Sequence, residues 1–216
     1  IEMVAMTRFD CMIGSSAGQR AAVAQALHHC NIRAAFGKLL NQQPLMQNVL
    51  ADLVLEHEGS LALTMRLARA MDHRDDAHED ALVRLVTAVG KYWICKRTPQ
   101  LSYEAMECIG GSGVMEDSPF PRLYREAPVN AIWEGSGNVQ CLDVLRAMAK
   151  EPGTRDAWCP RAQKFVPHTV VQREQLGLEP GGGRLELREQ RHHALKAARR
   201  DLILAVHVPL QLRIAV

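Results

Sequence analysis

A helix-compatible run from residue 3 to residue 36, with no proline inside it, is the feature that most narrows what this chain can fold into. A helix of that length reaches across a small domain from end to end. The run is rich in small side chains: Ala5, Gly14, Ala17, Gly18, Ala21, Ala22 and Ala24. They let a neighbouring helix come close, although each Gly costs ~1 kcal/mol against Ala. Gly37 is a natural C-cap, so the helix is expected to end there.

Two further long helices follow from the same spacing argument. Pro44 opens a helix in its first turn, where a missing N–H does no harm. Along 45–72 the apolar residues Met46, Val49, Leu50 and Leu53, then Leu61, Met65 and Ala68, fall three and four apart. A polar turn at 73–76 leads into a third helix over 77–109, with Val83, Val86, Gly90, Trp93, Ile94 and Arg97 on or near one face. Pro99 is expected to kink it, and the Gly110-Gly111-Ser112-Gly113 run to end it. Residues 114–126, with Pro119 and Pro121, read as a loop. A last helical stretch, 127–149, is interrupted at Gly135-Ser136-Gly137. Aromatic residues make up 5% and hydrophobic residues 47%, which suits a helical core better than a sheet. The expected fold class is all-α, an antiparallel four-helix bundle over residues 1–150.

Residues 151–216 differ in kind. They hold half of the ten prolines, the Gly181-Gly182-Gly183 run, and 11 Lys+Arg against 7 Asp+Glu. Residues 1–150 are left with 15 against 17, which is no polyanion-binding surface. The tail is expected to be poorly structured, irregular over 151–183, with one basic helix near 184–205. The chain opens on Ile1 within a helical pattern, and so reads as a piece of a longer protein. No signal peptide is visible, and no apolar run nears the ~20 residues that span a bilayer. Cys11, Cys30, Cys95, Cys108, Cys141 and Cys159 form no Cys-x-x-Cys pair and read as buried free thiols of a reducing compartment. A cytoplasmic protein is the expectation.

Most motifs carry little chemistry. Gly14-Ser15-Ser16-Ala17-Gly18 fits G-x-S-x-G, but a nucleophile elbow needs a strand before it, and here there is helix. Asp75-x-x-His78 lacks the second copy a di-iron bundle needs. His28-His29 and His192-His193 point to different faces of a helix, so no metal site is expected. Ala131-Ile132-Trp133-Glu134-Gly135-Ser136-Gly137-Asn138 is more informative. Glycines in a helical run weaken it, and close approach of a flat ligand to bare backbone is one justification. Glu134 then has two readings. It is a solvated carboxylate at a helix joint, or a base that Ile132 and Trp133 desolvate, with its pKa raised toward neutrality.

Four segments, in this order and spacing, resemble the acyl-CoA dehydrogenases. They are Arg33-Ala34-Ala35-Phe36-Gly37-Lys38, then Tyr103-Glu104-Ala105-Met106-Glu107-Cys108-Ile109-Gly110-Gly111-Ser112-Gly113, then Pro121-Arg122-Leu123-Tyr124-Arg125-Glu126, then Ile132 to Asn138. The resemblance covers about residues 5–150. Met6-Thr7-Arg8-Phe9-Asp10-Cys11, Gln43-Pro44-Leu45-Met46, Ile94-Cys95-Lys96-Arg97 and Pro128-Val129-Asn130 resemble the alkylation-response, AidB-like branch. Glu107 and Asn138 both stand where the family commonly has Gln.

The resemblance implies an FAD-dependent oxidoreductase whose final domain is a four-helix bundle. It implies Glu134 as the base that takes the α-proton of an acyl-CoA while hydride passes to the flavin. It implies FAD contacts at Arg33, Phe36, Gly110, Gly111, Ser136 and Asn138, in a site shared by the subunits of a dimer or tetramer. An Arg suits pyrophosphate because its fork pairs two oxygens. The same branch is linked to DNA through basic C-terminal residues, of which Arg146 matches one. A DNA-associated flavoprotein with vestigial dehydrogenase activity is therefore the alternative function, and a bundle without chemistry a third.

Overall fold

The computed structural model describes residues 2–150. The expectations placed on 151–216 lie outside the described residues.

Three long helices form the body: α1 (Glu2–Ile32), α2 (Pro44–Asp72) and α3 (Ala77–Ile109). Between α1 and α2 lies a hairpin of two short strands, β1 (Ala34–Ala35) and β2 (Lys38–Leu39), paired Ala34 with Leu39 and Ala35 with Lys38. After α3 come a 3₁₀ turn over Gly110–Val114, α4 (Phe120–Glu126), α5 (Val129–Ile132) and α6 (Gly137–Lys150). Side-chain pairs fix the directions. The Cys95 thiol donates to the Cys11 carbonyl, and Gln19 Nε2 donates to Thr98 Oγ1 at 2.9 Å, so α1 and α3 run parallel. Arg97 pairs with Glu56 and Arg66 with Glu79, so α2 runs opposite to α3. Asp143 pairs with Arg84, while Gly137 lies beside Tyr92, so α6 runs opposite to α3. The four-helix bundle is thus up-down-up-down, as expected, with α4 and α5 spliced into its last connection.

The local signals act as their chemistry predicts at most boundaries. Asp76 caps α3 by accepting from the His78 and Glu79 amides. Gly110, at φ 76°, ends α3 in a conformation that costs other residues strain. Gly90 lies under Met12: a Cβ there would stand 2.5 Å from Met12 Cε, and Met12 is itself fully buried.

Two boundaries depart from expectation. α1 stops at Ile32, and Gly37 serves the hairpin instead of a helix cap. Phe36 (φ 54°) and Gly37 (φ 79°) form the two-residue loop, the pair of positive φ angles that a tight hairpin of the right twist demands. Residues 120–126 are helix, not loop, because Pro121 sits in the first turn, where proline starts a helix. α3, by contrast, keeps its expected span, with Pro99 inside it.

The core is split in two. One cluster joins Ala22, Val23, Ala26 and Cys30 to Leu50, Leu53, Leu101, Ala105, Cys108 and Phe120. The other joins Met12 to Leu63, Leu67, Ala70, Leu82, Val83, Val86 and Ile94. Between them, on all three long helices, the buried positions turn polar: Ser16 and Gln19, His57 and Ser60, Thr98. That band explains a phase error in α2. The buried stripe runs through His57, Ser60, Leu63, Thr64 and Leu67, and Met65 is exposed, because a count of apolar residues skips the polar ones that face inward. Of the small residues on α1, Ala22 is buried, whereas Ala17, Ala21 and Ala24 are exposed.

Candidate functional site

Trp133 to Ser136 form the loop between α5 and α6 that carries Glu134. Two successive residues there have positive φ, Glu134 at 56° and Gly135 at 101°. At a non-glycine residue this costs on the order of 1–3 kcal/mol and persists only when the surroundings over-determine it. Here they do. The buried Lys91 ammonium donates to the Trp133 carbonyl at 2.7 Å and the Gly135 carbonyl at 2.6 Å. Gln140 Nε2 donates to the carbonyls of Glu134 and Gly135 at 3.1 and 3.0 Å. Arg8 Nε donates to the Glu134 carbonyl at 3.1 Å. Three consecutive carbonyls are thus held from the bundle side. A Cβ at Gly135 would also stand 2.7 Å from Gln140 Nε2, so a larger residue there must displace that amide from the carbonyls it holds.

A charge cluster supports the loop. Asp143 receives Arg8 at 2.7 Å and Arg84 at 2.9 Å. Burial pushes the Asp143 carboxyl up, but hydrogen bonds from Arg84 and Arg8 outweigh that and hold it below the usual carboxylate range. Burial pushes Lys91 below the usual lysine range, with the Arg8 charge adding to this and Glu134 opposing it.

Glu134 itself is exposed, and so are Ile132 (65%) and Trp133 (55%). The expected desolvation of Glu134 by those two side chains does not occur within the single chain. The physical reason is visible at Trp133, whose indole N–H is tied back to Asn130 Oδ1 at 3.0 Å, while Asn130 Nδ2 reaches Ser15 Oγ at 3.1 Å. Val129, Val139, Leu142 and Leu145, on the two helices that the Glu134 loop joins, are all exposed. The last three recur every third residue along α6 and form one face.

The other expected site residues fall into two groups. Ser136 and Asn138 share the Glu134 loop and the start of α6, and both are exposed. Arg33, Phe36, Gly110 and Gly111 lie at the opposite end of the bundle, where Cys30 of α1 packs with Cys108 of α3. All four are exposed, Phe36 to 98%. Nothing stands within 4 Å of a Cβ built at Gly110 or Gly111, so bare backbone faces outward there. Arg8 marks the level of Glu134 on α1, and Arg33 is 25 residues further on, a rise of about 37 Å. The two groups therefore do not meet within one chain. Arg146 is exposed on α6 near Leu142 and Leu145. The Ser15 and Ser16 side chains of the G-x-S-x-G match are buried inside α1, which removes the hydrolase reading.

Lys91, Gln140 and Arg8 are not singled out by the sequence. The available signal was Lys91 itself, one helical turn from Thr87 and Cys95 on the buried face of α3.

Comparison with known proteins assigns the family. The acyl-CoA dehydrogenase C-terminal domain family matches residues 1–149. Over 156 residues the chain is 53% identical to the putative acyl-CoA dehydrogenase AidB of Escherichia coli, covering 72% of this chain and 29% of that protein. The crystal structure of Caenorhabditis elegans ACDH-11 in complex with C11-CoA superposes with a TM-score of 0.71 at 29% identity, covering 97% of this chain and 35% of that one. Butyryl-CoA dehydrogenase of Megasphaera elsdenii, at 24% identity and a TM-score of 0.62 over 69% of this chain and 38% of that one, shares the fold. The chain thus spans about a third of the length of these relatives. Members of the family are FAD-dependent flavoproteins. By sequence match and by fold, this chain belongs to the acyl-CoA dehydrogenase family, as its C-terminal helical domain.

Proposed function

We propose that the chain supplies the base and part of the flavin site of an acyl-CoA dehydrogenase, with Glu134 taking the α-proton of the acyl thioester. The observation that carries this is the Glu134 loop. A strained loop, its main-chain carbonyls at residues 133–135 held by Lys91, Gln140 and Arg8, leaves the Glu134 side chain exposed just before the apolar face of α6. A solvated helix joint needs no such clamp. An acyl chain laid across Val139, Leu142 and Leu145 covers that face and excludes water from Glu134, which makes the carboxylate a stronger base. The nematode relative in complex with C11-CoA supports this class of substrate.

The exposed residues also fit FAD. Gly110 and Gly111 present open backbone, Phe36 an aromatic face and Arg33 a guanidinium fork. Ser136 and Asn138 offer hydrogen-bonding side chains beside the base. When bound, FAD supplies the acceptor for the hydride that leaves the β-carbon. The separation of about 37 Å between Glu134 and Arg33 calls for a second copy of the chain, whose hairpin completes the site begun by the first copy's Glu134. The resemblance also links Arg146 to DNA. Its exposed neighbours Leu142 and Leu145 are apolar, so this face favours the acyl-CoA reading.

The test is E134Q in the flavin-loaded protein. It is expected to abolish exchange of the substrate's α-protons with deuterated solvent while leaving FAD bound. Full exchange in E134Q would remove Glu134 from the reaction.

A further inference from the structure

We propose that Lys91 is a positioning residue for the base: its buried ammonium clamps the carbonyls on either side of Glu134 and so sets the direction in which that carboxylate is presented. The inference rests on the reading of Glu134 as the base, and goes beyond it by naming what holds the base in place.

Lys91 is 1% exposed, on the face of α3 that packs against α1 and the 133–136 loop. Both acceptors it reaches, at 2.7 and 2.6 Å, are main-chain carbonyls, those of Trp133 and Gly135. A buried lysine is costly to keep, because burial disfavours its charged form. A Met of similar length would fill the same space without a charge. What Met cannot do is donate. An ammonium donates in three directions and makes charge-assisted bonds, stronger than neutral ones. One side chain can therefore bridge residues 133 and 135 and span the left-handed residue between them. Gln140 and Arg8 hold the Glu134 carbonyl itself, and Gln140 shares the Gly135 carbonyl with Lys91. Within this set Lys91 alone bonds the Trp133 carbonyl. Without it the Trp133 carbonyl loses its donor, the chain before Glu134 is held only by the Trp133 amide and indole bonds, and the carboxylate is less firmly directed. Being buried, Lys91 touches no substrate, so its loss acts on the base and not on substrate affinity.

The experiment compares K91M, K91Q and E134Q. The first readout needs no cofactor: deuterium exchange, in the chain itself, at the Trp133 amide (bonded to Val129 O) and the Gln140 amide (bonded to Ser136 O). K91M is expected to speed exchange at both by about tenfold or more while leaving α1 and α3 as protected as before. The second readout is substrate α-proton exchange in the flavin-loaded protein. K91M is expected to lower it by about ten- to a hundredfold with KM moved by less than about threefold, and K91Q, which keeps a donor, to recover part of the loss. If K91M does not fold, K91Q is expected to show smaller losses of the same kind. Loop and α-proton exchange both unchanged in the folded Lys91 variant, where E134Q is inactive, would overturn the proposal. An active E134Q would instead overturn the base assignment, and the amide exchange would then decide on Lys91 alone.

Discussion

His57 is buried in α2, and among the described residues neither of its ring nitrogens has a hydrogen-bond partner. Burial pushes its pKa below the usual histidine value; Glu58 opposes this and Arg20 adds to it. The unfolded chain therefore binds the proton more readily than the folded one, and stability rises with pH across that window. The contribution is complete above about pH 6.5 and is lost as the pH falls below it. Urea denaturation at pH 7.5 and 5.5 should show the loss in the parent protein, and H57Q should flatten that part of the profile. Paired carboxylates such as Asp143 and Glu79, held below their usual range, add a separate loss at more acid pH. Gly135 gives a second prediction. G135A forces a Cβ into a positive-φ position and onto Gln140, at a cost of roughly 1–3 kcal/mol, readable as a lowered midpoint of thermal unfolding.

At the level of elements, what could be read from the sequence follows from which signals are local. The spans of α2 and α3 were legible, because Pro44 and Gly110 mark their ends by backbone chemistry alone. The hairpin was not, because Phe36 is a poor choice for a positive φ and its conformation is imposed by the pairing around it. Glu134 stood out through the two glycines that follow it. Lys91 did not, because a lysine in a helix ordinarily reads as solvated, and only packing shows that it faces inward. Phe36 also carries a prediction. F36G removes an exposed ring and relieves the backbone, so stability should hold or rise by up to about 1 kcal/mol. FAD affinity should fall in the same variant, measured by flavin fluorescence titration. In the core the expectation is opposite: L67A should cost about 2–5 kcal/mol in chemical denaturation, because Leu67 is fully buried.

At the scale of the whole molecule, the two groups of site residues at opposite ends of α1 make a strong demand. If each site joins the Glu134 loop of one copy to the Arg33 hairpin of another, two inactive variants can repair each other. Mixed oligomers of E134Q and R33A should regain activity, since some of their sites draw both intact residues from different copies. Homogeneous preparations of either variant should stay inactive, and a mixture without recovery would place the whole site in one chain. Among the described residues no helix is long and apolar enough to cross a membrane.

The hydroxyls and imidazole that interrupt the core leave the bundle as two apolar compartments stacked end to end. Substitutions in separate compartments, such as L53A with L67A, should add in free energy to within about 0.5 kcal/mol, whereas L63A with L67A, sharing one compartment, should not. The hairpin end can then drift in sequence while the packing beneath the Glu134 loop stays as it is, so change at one end need not be answered at the other.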